Sequence, residues 1–146
     1  MPKTLYDHWR DVPESAWRWP SFSPAEIACK GTGQIKIDER ALDMLQALRD
    51  RLGKPIILNS AYRSPSHNRA VGGAKASKHM DGIAFDCRMD NRDPQDFMEA
   101  ARGVGCKGVG EYPRLGFTHI DARPDKENWV GSAGKRWAAL GVSGRF

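Results

Sequence analysis

No stretch of this 146-residue sequence approaches the roughly eighteen consecutive apolar residues that a transmembrane helix needs. The N-terminus also lacks the charged and then apolar segments of a secretory signal peptide, so we expect synthesis in the cytoplasm and no stable membrane insertion. The sequence has only three cysteines and no C-x-x-C pair. This favours reduced, structural thiols over a disulfide framework, with a catalytic Cys–His pair as the alternative.

Runs of basic residues are also missing. The net charge of +5 favours an acidic partner, such as nucleic acid, lipid or an anionic cell-wall polymer. A nucleic-acid-binding domain would need lysines and arginines clustered on one face. Here they are scattered along the chain, so we expect no nucleic-acid partner. The composition is that of a soluble globular protein, and the length fits one domain over residues 1–146.

Capping residues and hydrophobic periodicity predict a small α+β domain, with an antiparallel sheet and helices packed mainly on one side. The clearest helix covers residues 38–53, with a leucine stripe that ends at Gly53. Ser23–Pro24 and Asp93–Pro94 predict the starts of two further helices. Four strands are predicted within residues 54–62, 82–89, 106–113 and 116–123. Tryptophans near both ends are predicted to anchor their segments to the core: Trp9, Trp17, Trp19, Trp129 and Trp137.

A long polar segment, residues 63–78, separates the first two predicted strands. It reads "RSPSHNRAVGGAKASK" and is dense in serine, glycine and asparagine. Loops of this length in a compact domain are usually functional or disordered. Length and composition leave both alternatives open for residues 63–78.

Two histidines lie beside predicted strands that carry an acid. In "FTHID", His119 and Asp121 are two residues apart, so on a strand they project from the same face. His79 precedes a strand and Asp86 lies towards its far end, so they meet only if the preceding loop folds back. Two imidazoles and one carboxylate are a typical ligand set for catalytic zinc, with the fourth position left for water. Spacing alone leaves structural histidines and a capping aspartate as alternatives.

Residues 22–121 resemble the zinc D-Ala-D-Ala carboxypeptidase family, which shares its fold with the Hedgehog signalling domain. The likeness is greatest to short, single-domain peptidoglycan peptidases of bacteria and their phages. It rests on "SAYRSPSHNRAVGGAKASKHMDGIAFD" and "GVGEYPRLGFTHIDAR". The family pattern is S-x-H, six residues, D, and later a second His on a strand, commonly as H-x-D. It is matched in order by Ser77, His79, Asp86, His119 and Asp121.

The resemblance implies roles for individual residues. It implies that His79, Asp86 and His119 bind zinc, whose charge would compensate a carboxylate in an apolar strand. It implies that Arg63 reaches the carboxylate or carbonyl of the substrate, which suits a guanidinium because it binds carboxylates at two points. It also implies that Ser77 contacts substrate near the metal. The alternatives are a solvated loop arginine at 63 and a turn hydroxyl at 77.

The sequence departs from the family at one position. Many members carry a catalytic Glu or Asp three residues before the last metal-binding His, and that position here is Gly116. The general base must then come from elsewhere, and the candidates are Asp121 and Glu111. Asp121 has the alternative role of orienting a metal-bound imidazole. For Glu111 the alternative is a surface carboxylate.

These inferences together predict a zinc-dependent metallopeptidase that hydrolyses stem peptides or cross-links of bacterial peptidoglycan. The alternative is a catalytically inactive, zinc-containing peptidoglycan-binding module, which Gly116 would favour. Whether a terminal D-Ala is trimmed or an internal bond is cut stays open. Small size, basic charge and the missing signal peptide are typical of a monomeric phage-type lysin, released to the cell wall or periplasm through a phage holin. A prophage gene or a virion-associated enzyme would share these features.

Overall fold

The computed structural model describes residues 3–124 and the backbone of residues 129–132. Trp137 lies outside these residues, and the side chain of Trp129 is not described. In chain order the strands and α-helices are β1 Lys3–Tyr6, α1 Pro24–Ile27, β2 Ile35–Asp38, α2 Glu39–Leu52, β3 Leu58–Ser60, α3 Pro65–Ala70, β4 Ala84–Arg88, α4 Pro94–Gly103, β5 Gly108–Tyr112, β6 Phe117–Asp121 and β7 Trp129–Ser132. Two short 3-10 helices, Trp9–Asp11 and Glu14–Ala16, lie between β1 and α1. No helix among the described residues is long and apolar enough to cross a membrane.

The main sheet has five strands in the order β3-β4-β6-β5-β7. Strands β3, β4, β6 and β5 pair antiparallel, as the sequence predicts, and β7 is added parallel to β5. A separate antiparallel pair, β1 and β2, joins the N-terminus to the start of α2 and is not predicted by the sequence. The fold is therefore the expected small α+β domain.

The core lies on the face of the sheet that α2 and α4 cover. Leu42, Leu45 and Leu48 of α2 are buried as the leucine stripe predicts, and Gly53 ends the helix with φ 66°, which favours glycine. They belong to one apolar cluster with Phe85 of β4 and other buried sheet and α4 residues, among them Val109, Ile120 and Phe97. Burial of each large side chain stabilises the fold by about 1.5–3 kcal/mol. Because strand side chains alternate, the neighbours of the buried sheet residues project from the opposite face.

Serine–proline and aspartate–proline pairs mark the starts of helices, as expected. Ser23 forms a capping box with Glu26 at the start of α1, and Asp93 caps α4. The same signal, Ser64 followed by Pro65, begins α3 inside the segment predicted to be a structureless loop. The prediction of a loop throughout residues 63–78 was therefore wrong for Pro65–Ala70, where Ser64 caps a short helix.

The N-terminal aromatic residues pack against the core. Trp19 is buried, and Trp9 and Trp17 are partly buried against the same cluster. The indole nitrogen of Trp19 donates to Asp43 on α2 at 2.9 Å. All three cysteines are buried and free, which agrees with structural thiols.

Candidate metal centre

Two of the predicted metal ligands face each other across neighbouring strands. The register of β4 and β6 places Asp86 opposite His119. Because Phe85, Cys87 and Ile120 point into the core, Asp86 and His119 project from the other face of the sheet. Oδ1 of Asp86 lies 3.1 Å from Nδ1 of His119.

The third predicted ligand, His79, reaches the sheet from a turn before β4. The backbone N–H of Arg63 donates to the carbonyl of His79 at 3.1 Å, which draws the turn against the end of β3. Gly82 closes the turn at φ 77°. Nε2 of His79 then lies 3.1 Å from Oδ1 of Asp86. The loop therefore folds back as the sequence analysis required.

In His79 and His119, the hydrogen-bond partner of the nitrogen that faces away from Asp86 decides which ring nitrogen carries the proton. Nδ1 of His79 lies 2.6 Å from the carbonyl oxygen of Ala61, which can only accept, so this nitrogen carries a proton. Nε2 of His119 donates to Oδ2 of Asp121 at 2.8 Å. In the neutral rings the remaining nitrogens then present lone pairs towards Asp86.

The buried triad of His79, Asp86 and His119 fits a metal ion. One ligand atom from each residue lies within 4.8 Å of the others. Three acceptor atoms at this spacing need a cation between them, either a metal ion or a proton. Two imidazoles, each with its second nitrogen held by a carbonyl or carboxylate, plus one carboxylate oxygen, form a donor set suited to zinc.

The electrostatics of the triad favour an ionised carboxylate. Burial acts to raise the pKa of Asp86, but the two histidines outweigh it and lower that pKa to about 2. Burial lowers the pKa of His79. Burial acts on His119 in the same direction, but its hydrogen bonds with Asp121 and Asp86 raise its pKa overall. A proton and a metal ion therefore compete for the space between His119 and Asp86.

Asp121 contacts His119 on the side of the ring that faces away from Asp86. It is fully buried, and Arg123 donates to it through Nε at 2.8 Å, Nη2 at 2.7 Å and the backbone N–H at 3.1 Å. Burial acts to raise the pKa of Asp121, but the hydrogen bonds from Arg123 and His119 hold it well below its usual range. An ionised carboxylate on the outer nitrogen is the usual arrangement for orienting a metal-bound imidazole.

Glu111 is not brought to the triad. On β5 it lies opposite Thr118, whereas its neighbour Gly110 lies opposite His119. By strand alternation Glu111 projects from the face that α4 covers, where it is partly buried. Gly116 lies in the turn between β5 and β6 with φ 74°, a conformation that favours glycine.

Arg63 is buried beside the triad, which excludes the alternative of a solvated loop arginine. Its Nη2 lies 3.5 Å from Oδ2 of Asp86, the oxygen that the two histidines do not contact in the hydrogen bonds above. Nε donates to Ser60 Oγ at 3.1 Å and Nη1 donates to Asn68 Oδ1 at 3.0 Å. The guanidinium is thus held in a fixed orientation. Burial lowers the pKa of Arg63, and the charge of Asp86 opposes that change.

Ser77 is buried in the turn that carries His79. Its Oγ accepts from the backbone N–H of His79 at 3.2 Å. This is the turn hydroxyl that the sequence analysis left open as an alternative. The contact positions a predicted metal ligand.

Several residues that build the site are not predicted from the sequence. Asn68 on α3 is buried; besides accepting from Arg63, it donates to the carbonyl of Ala74 at 2.9 Å. It joins the arginine to the loop before His79. Also not predicted are Ala61, whose carbonyl contacts His79, and Arg123, which donates to Asp121. An asparagine in a polar segment, or an arginine after a strand, is not by itself a recognisable signal of a functional site. The spacing in "HIDAR" could have indicated Arg123, because residues two apart on an extended chain project from the same side, as Asp121 and Arg123 do.

The fold and the triad define a metal-binding α+β domain with the ligand set of a hydrolase. Residues 20–121 match the model of the Peptidase M15 family, and the chain belongs to that family. The match includes all three triad residues.

Named relatives agree with this assignment. Peptidoglycan L,D-endopeptidase MepK of Escherichia coli K12 is 39% identical over 95 residues, covering 60% of this chain and 52% of the relative. Zinc D-Ala-D-Ala carboxypeptidase of Streptomyces albus G is 34% identical over 99 residues, covering 65% of this chain and 35% of the relative. A probable MepK of Haemophilus influenzae is 30% identical over 126 residues, covering 75% and 67%. The chain thus spans about half the length of the Escherichia coli relative.

Proposed function

We propose that this domain is a zinc-dependent peptidase that hydrolyses peptide bonds in the stem peptides or cross-links of bacterial peptidoglycan. The observation that carries the proposal is the buried triad of His79, Asp86 and His119 in a member of the Peptidase M15 family. The substrate class is supported by the relatives, which are named for peptidoglycan and for D-Ala-D-Ala.

The triad would hold zinc through Nε2 of His79, Oδ1 of Asp86 and Nδ1 of His119. When bound, zinc polarises a carbonyl group and lowers the pKa of a water molecule to about 7. The protein keeps both rings in the ligand tautomer, since Ala61 and Asp121 engage the opposite nitrogens. The full burial of His79 and His119 excludes water from the rings.

Arg63 orients the substrate in this proposal. Its guanidinium is held by Ser60 and Asn68 beside Asp86, so a substrate carbonyl or carboxylate approaching the triad meets a preoriented cation. A fixed guanidinium loses little conformational entropy on binding and can stabilise developing negative charge. Ser77 supports the site through the backbone of His79.

Two carboxylates were predicted as general base. Asp121 is connected to the triad through His119, and both its oxygens already accept hydrogen bonds from Arg123 or His119. This favours the orienting role for Asp121. Glu111 would need to reach around the sheet from its opposite face. Variants of Asp121 and Glu111 distinguish a general base from a residue that orients His119.

Two kinds of peptide bond are candidates for cleavage. The relatives include an L,D-endopeptidase and a D-Ala-D-Ala carboxypeptidase, so an internal bond and a terminal bond are both candidates. The second candidate function is a zinc-containing peptidoglycan-binding module without catalysis. It is favoured by Gly116, which stands at the position where many family members carry an acid.

Purified sacculi incubated with the protein, with released fragments identified by mass spectrometry, test the function. We expect soluble fragments from the zinc-loaded protein and none from the Asp86→Asn variant, and the fragment masses identify the bond. Zinc binding and sacculus binding without any fragment would replace the peptidase with the binding module.

The biological setting is part of the same proposal. We propose that residues 1–146 act as one monomeric domain on the cell wall or periplasm, as a phage-type lysin released by a holin or carried on a virion. A soluble monomer in light scattering and lysis from within only when a holin is co-expressed would support this setting. Lysis without a holin would contradict it.

A further inference from the structure

The carboxylate of Asp121 is in contact with two residues, Arg123 and Gly108. Arg123 donates three hydrogen bonds to it, two from the guanidinium and one from the backbone. Charge-assisted pairs of this kind are about twice as strong as neutral hydrogen bonds and fix the orientation of the carboxylate. Since Asp121 is fully buried, its charge would be costly without this partner.

Gly108 provides the space that the carboxylate occupies. It lies directly opposite Asp121 on the neighbouring strand β5. A Cβ atom added at Gly108 would lie 2.3 Å from both carboxylate oxygens and 2.4 Å from Cγ of Asp121. Glycine normally weakens a strand, and a close approach by another group is a recognised reason for its presence. An alanine here would force Asp121 to move.

We infer that Arg123 and Gly108 are positioning residues for the metal centre. They hold the Asp121 carboxylate against Nε2–H of His119, and this leaves Nδ1 of His119 as the ligand atom beside Asp86. The inference rests on the proposed function as a metal-dependent peptidase, because it assigns these two residues to the affinity of the triad for its ion.

The physical reason lies in the tautomer of His119. A neutral imidazole carries its proton on one nitrogen, and the partner of that nitrogen decides which. If the Asp121 carboxylate is displaced, Nε2–H loses its acceptor and Nδ1 is no longer fixed as the ligand atom. The residues that orient metal-bound histidines typically change metal affinity by 10–100-fold when they are removed. Arg123 and Gly108 act one step further out, through Asp121.

Zinc affinity of the full chain, measured by competition with a chromogenic chelator, tests the inference. We expect Arg123→Gln and Gly108→Ala each to weaken binding by about tenfold or more. Arg123→Lys, which keeps the charge, should recover part of the loss. The control is Arg114→Gln, an exposed arginine in the turn between β5 and β6, which should bind zinc like the wild type.

A double variant tests whether Arg123 acts through Asp121. In Asp121→Ala the carboxylate is gone, so adding Arg123→Gln should cause no further loss of affinity. Additive losses would overturn the inference. So would wild-type affinity in Arg123→Gln with only a lower melting temperature of the zinc-free protein, since that pattern is purely structural. If Arg123→Gln does not fold, Arg123→Lys and Gly108→Ala make the same comparison.

The affinity series decides the inference whether or not peptidoglycan is cut. A wild type that binds zinc, with the expected losses in the variants, supports the positioning roles even if no fragment is released from sacculi; in that case only the proposed peptidase activity fails. A wild type without zinc affinity would overturn both.

Discussion

Asp86 and His119 lie directly opposite each other on β4 and β6, with Oδ1 of the aspartate 3.1 Å from Nδ1 of the histidine. The pairing register therefore sets the distance between two predicted metal ligands. Phe85 and Ile120, their neighbours in sequence, are a register pair that anchors the same two strands in the core. The core residues and the metal-site residues thus lie on opposite faces of the same pair of strands. A one-residue slip in the pairing register would turn the core side chains of one strand to the site face and its site side chains to the core.

Removing the carboxylate at the centre of the triad should abolish tight zinc binding. In Asp86→Asn the anionic ligand is lost, while the volume is nearly unchanged. We expect a loss of affinity of more than tenfold, beyond the effect of outer contacts. Metal content after dialysis measures it. The control is Asp90→Asn, an exposed aspartate just after β4, which should keep its zinc. Equal zinc content in both variants would contradict the ligand assignment.

Asn68→Ala should impair the proposed substrate binding by Arg63 without removing zinc. The variant deletes the acceptor for Nη1 of Arg63 and the donor to Ala74. A hydrogen bond to a charged group contributes about 1.5–3 kcal/mol, so we expect kcat/KM to fall by about tenfold or more. Ser66→Ala, an exposed position on the same helix, is the control. Unchanged kcat/KM in Asn68→Ala would show that Arg63 does not depend on this contact.

Variants of the two candidate bases have different expected signatures. Glu111→Gln should retain its activity because the side chain projects from the opposite face of the sheet. Asp121→Asn should lose zinc affinity by about 10–100-fold if it orients His119. If it is the base, it should keep zinc and lose about two to four orders of magnitude in kcat. Chelator competition and steady-state kinetics on each variant separate the two. A large loss of kcat in zinc-loaded Glu111→Gln would instead identify Glu111 as the base.

Much of the fold could be predicted from short-range signals. The leucine stripe of α2, its Gly53 end and the caps at Ser23 and Asp93 depend on residues within one or two helical turns. Strands β1 and β2 are not predicted because each has four residues and pairs with a strand 29 to 35 positions away in the sequence. Strands this short, paired with a distant segment, show little recognisable pattern in their own sequence.

The site was predictable only in part. The spacing of His119 and Asp121 predicts a shared face, and the structure has them in contact at 2.8 Å. The contact of Asn68 with Arg63 depends on how α3 packs, and the close approach of Asp121 to Gly108 depends on how β5 packs. Hydrophobic periodicity in the sequence does not predict either contact. The side of the sheet that Glu111 occupies follows from the β5–β6 register, which the sequence alone did not fix.

Leu45→Ala should destabilise the fold strongly. Leu45 is fully buried in the core between α2 and the sheet, so the variant leaves a cavity. The expected loss in the free energy of unfolding is about 2–5 kcal/mol, measured by urea denaturation. Leu115→Ala, at an exposed leucine, should change it by less than about 0.5 kcal/mol. Comparable losses for the two variants would contradict the placement of the core.

The three cysteines should differ in their rates of alkylation. Burial raises the pKa of Cys106 to about 12 and also raises the pKa of Cys87 well above its ordinary value. Burial acts on Cys29 in the same direction, but hydrogen bonds with Thr32 and Ser64 lower its pKa overall. We expect iodoacetamide at pH 8 to modify Cys29 first in the native protein, as read by peptide mass mapping. Modification of Cys106 at the rate of Cys29 would contradict the difference in pKa between these two buried thiols.

Cleavage of peptidoglycan by this domain should depend on zinc. The most direct measurement strips the protein of metal with a chelator, adds zinc back in steps and follows peptide fragments released from sacculi. We expect no release from the stripped protein, full release at one zinc per chain, and none from Asp86→Asn at any zinc concentration. Fragment release that is unchanged by stripping, or no release by the fully loaded wild type, would contradict it.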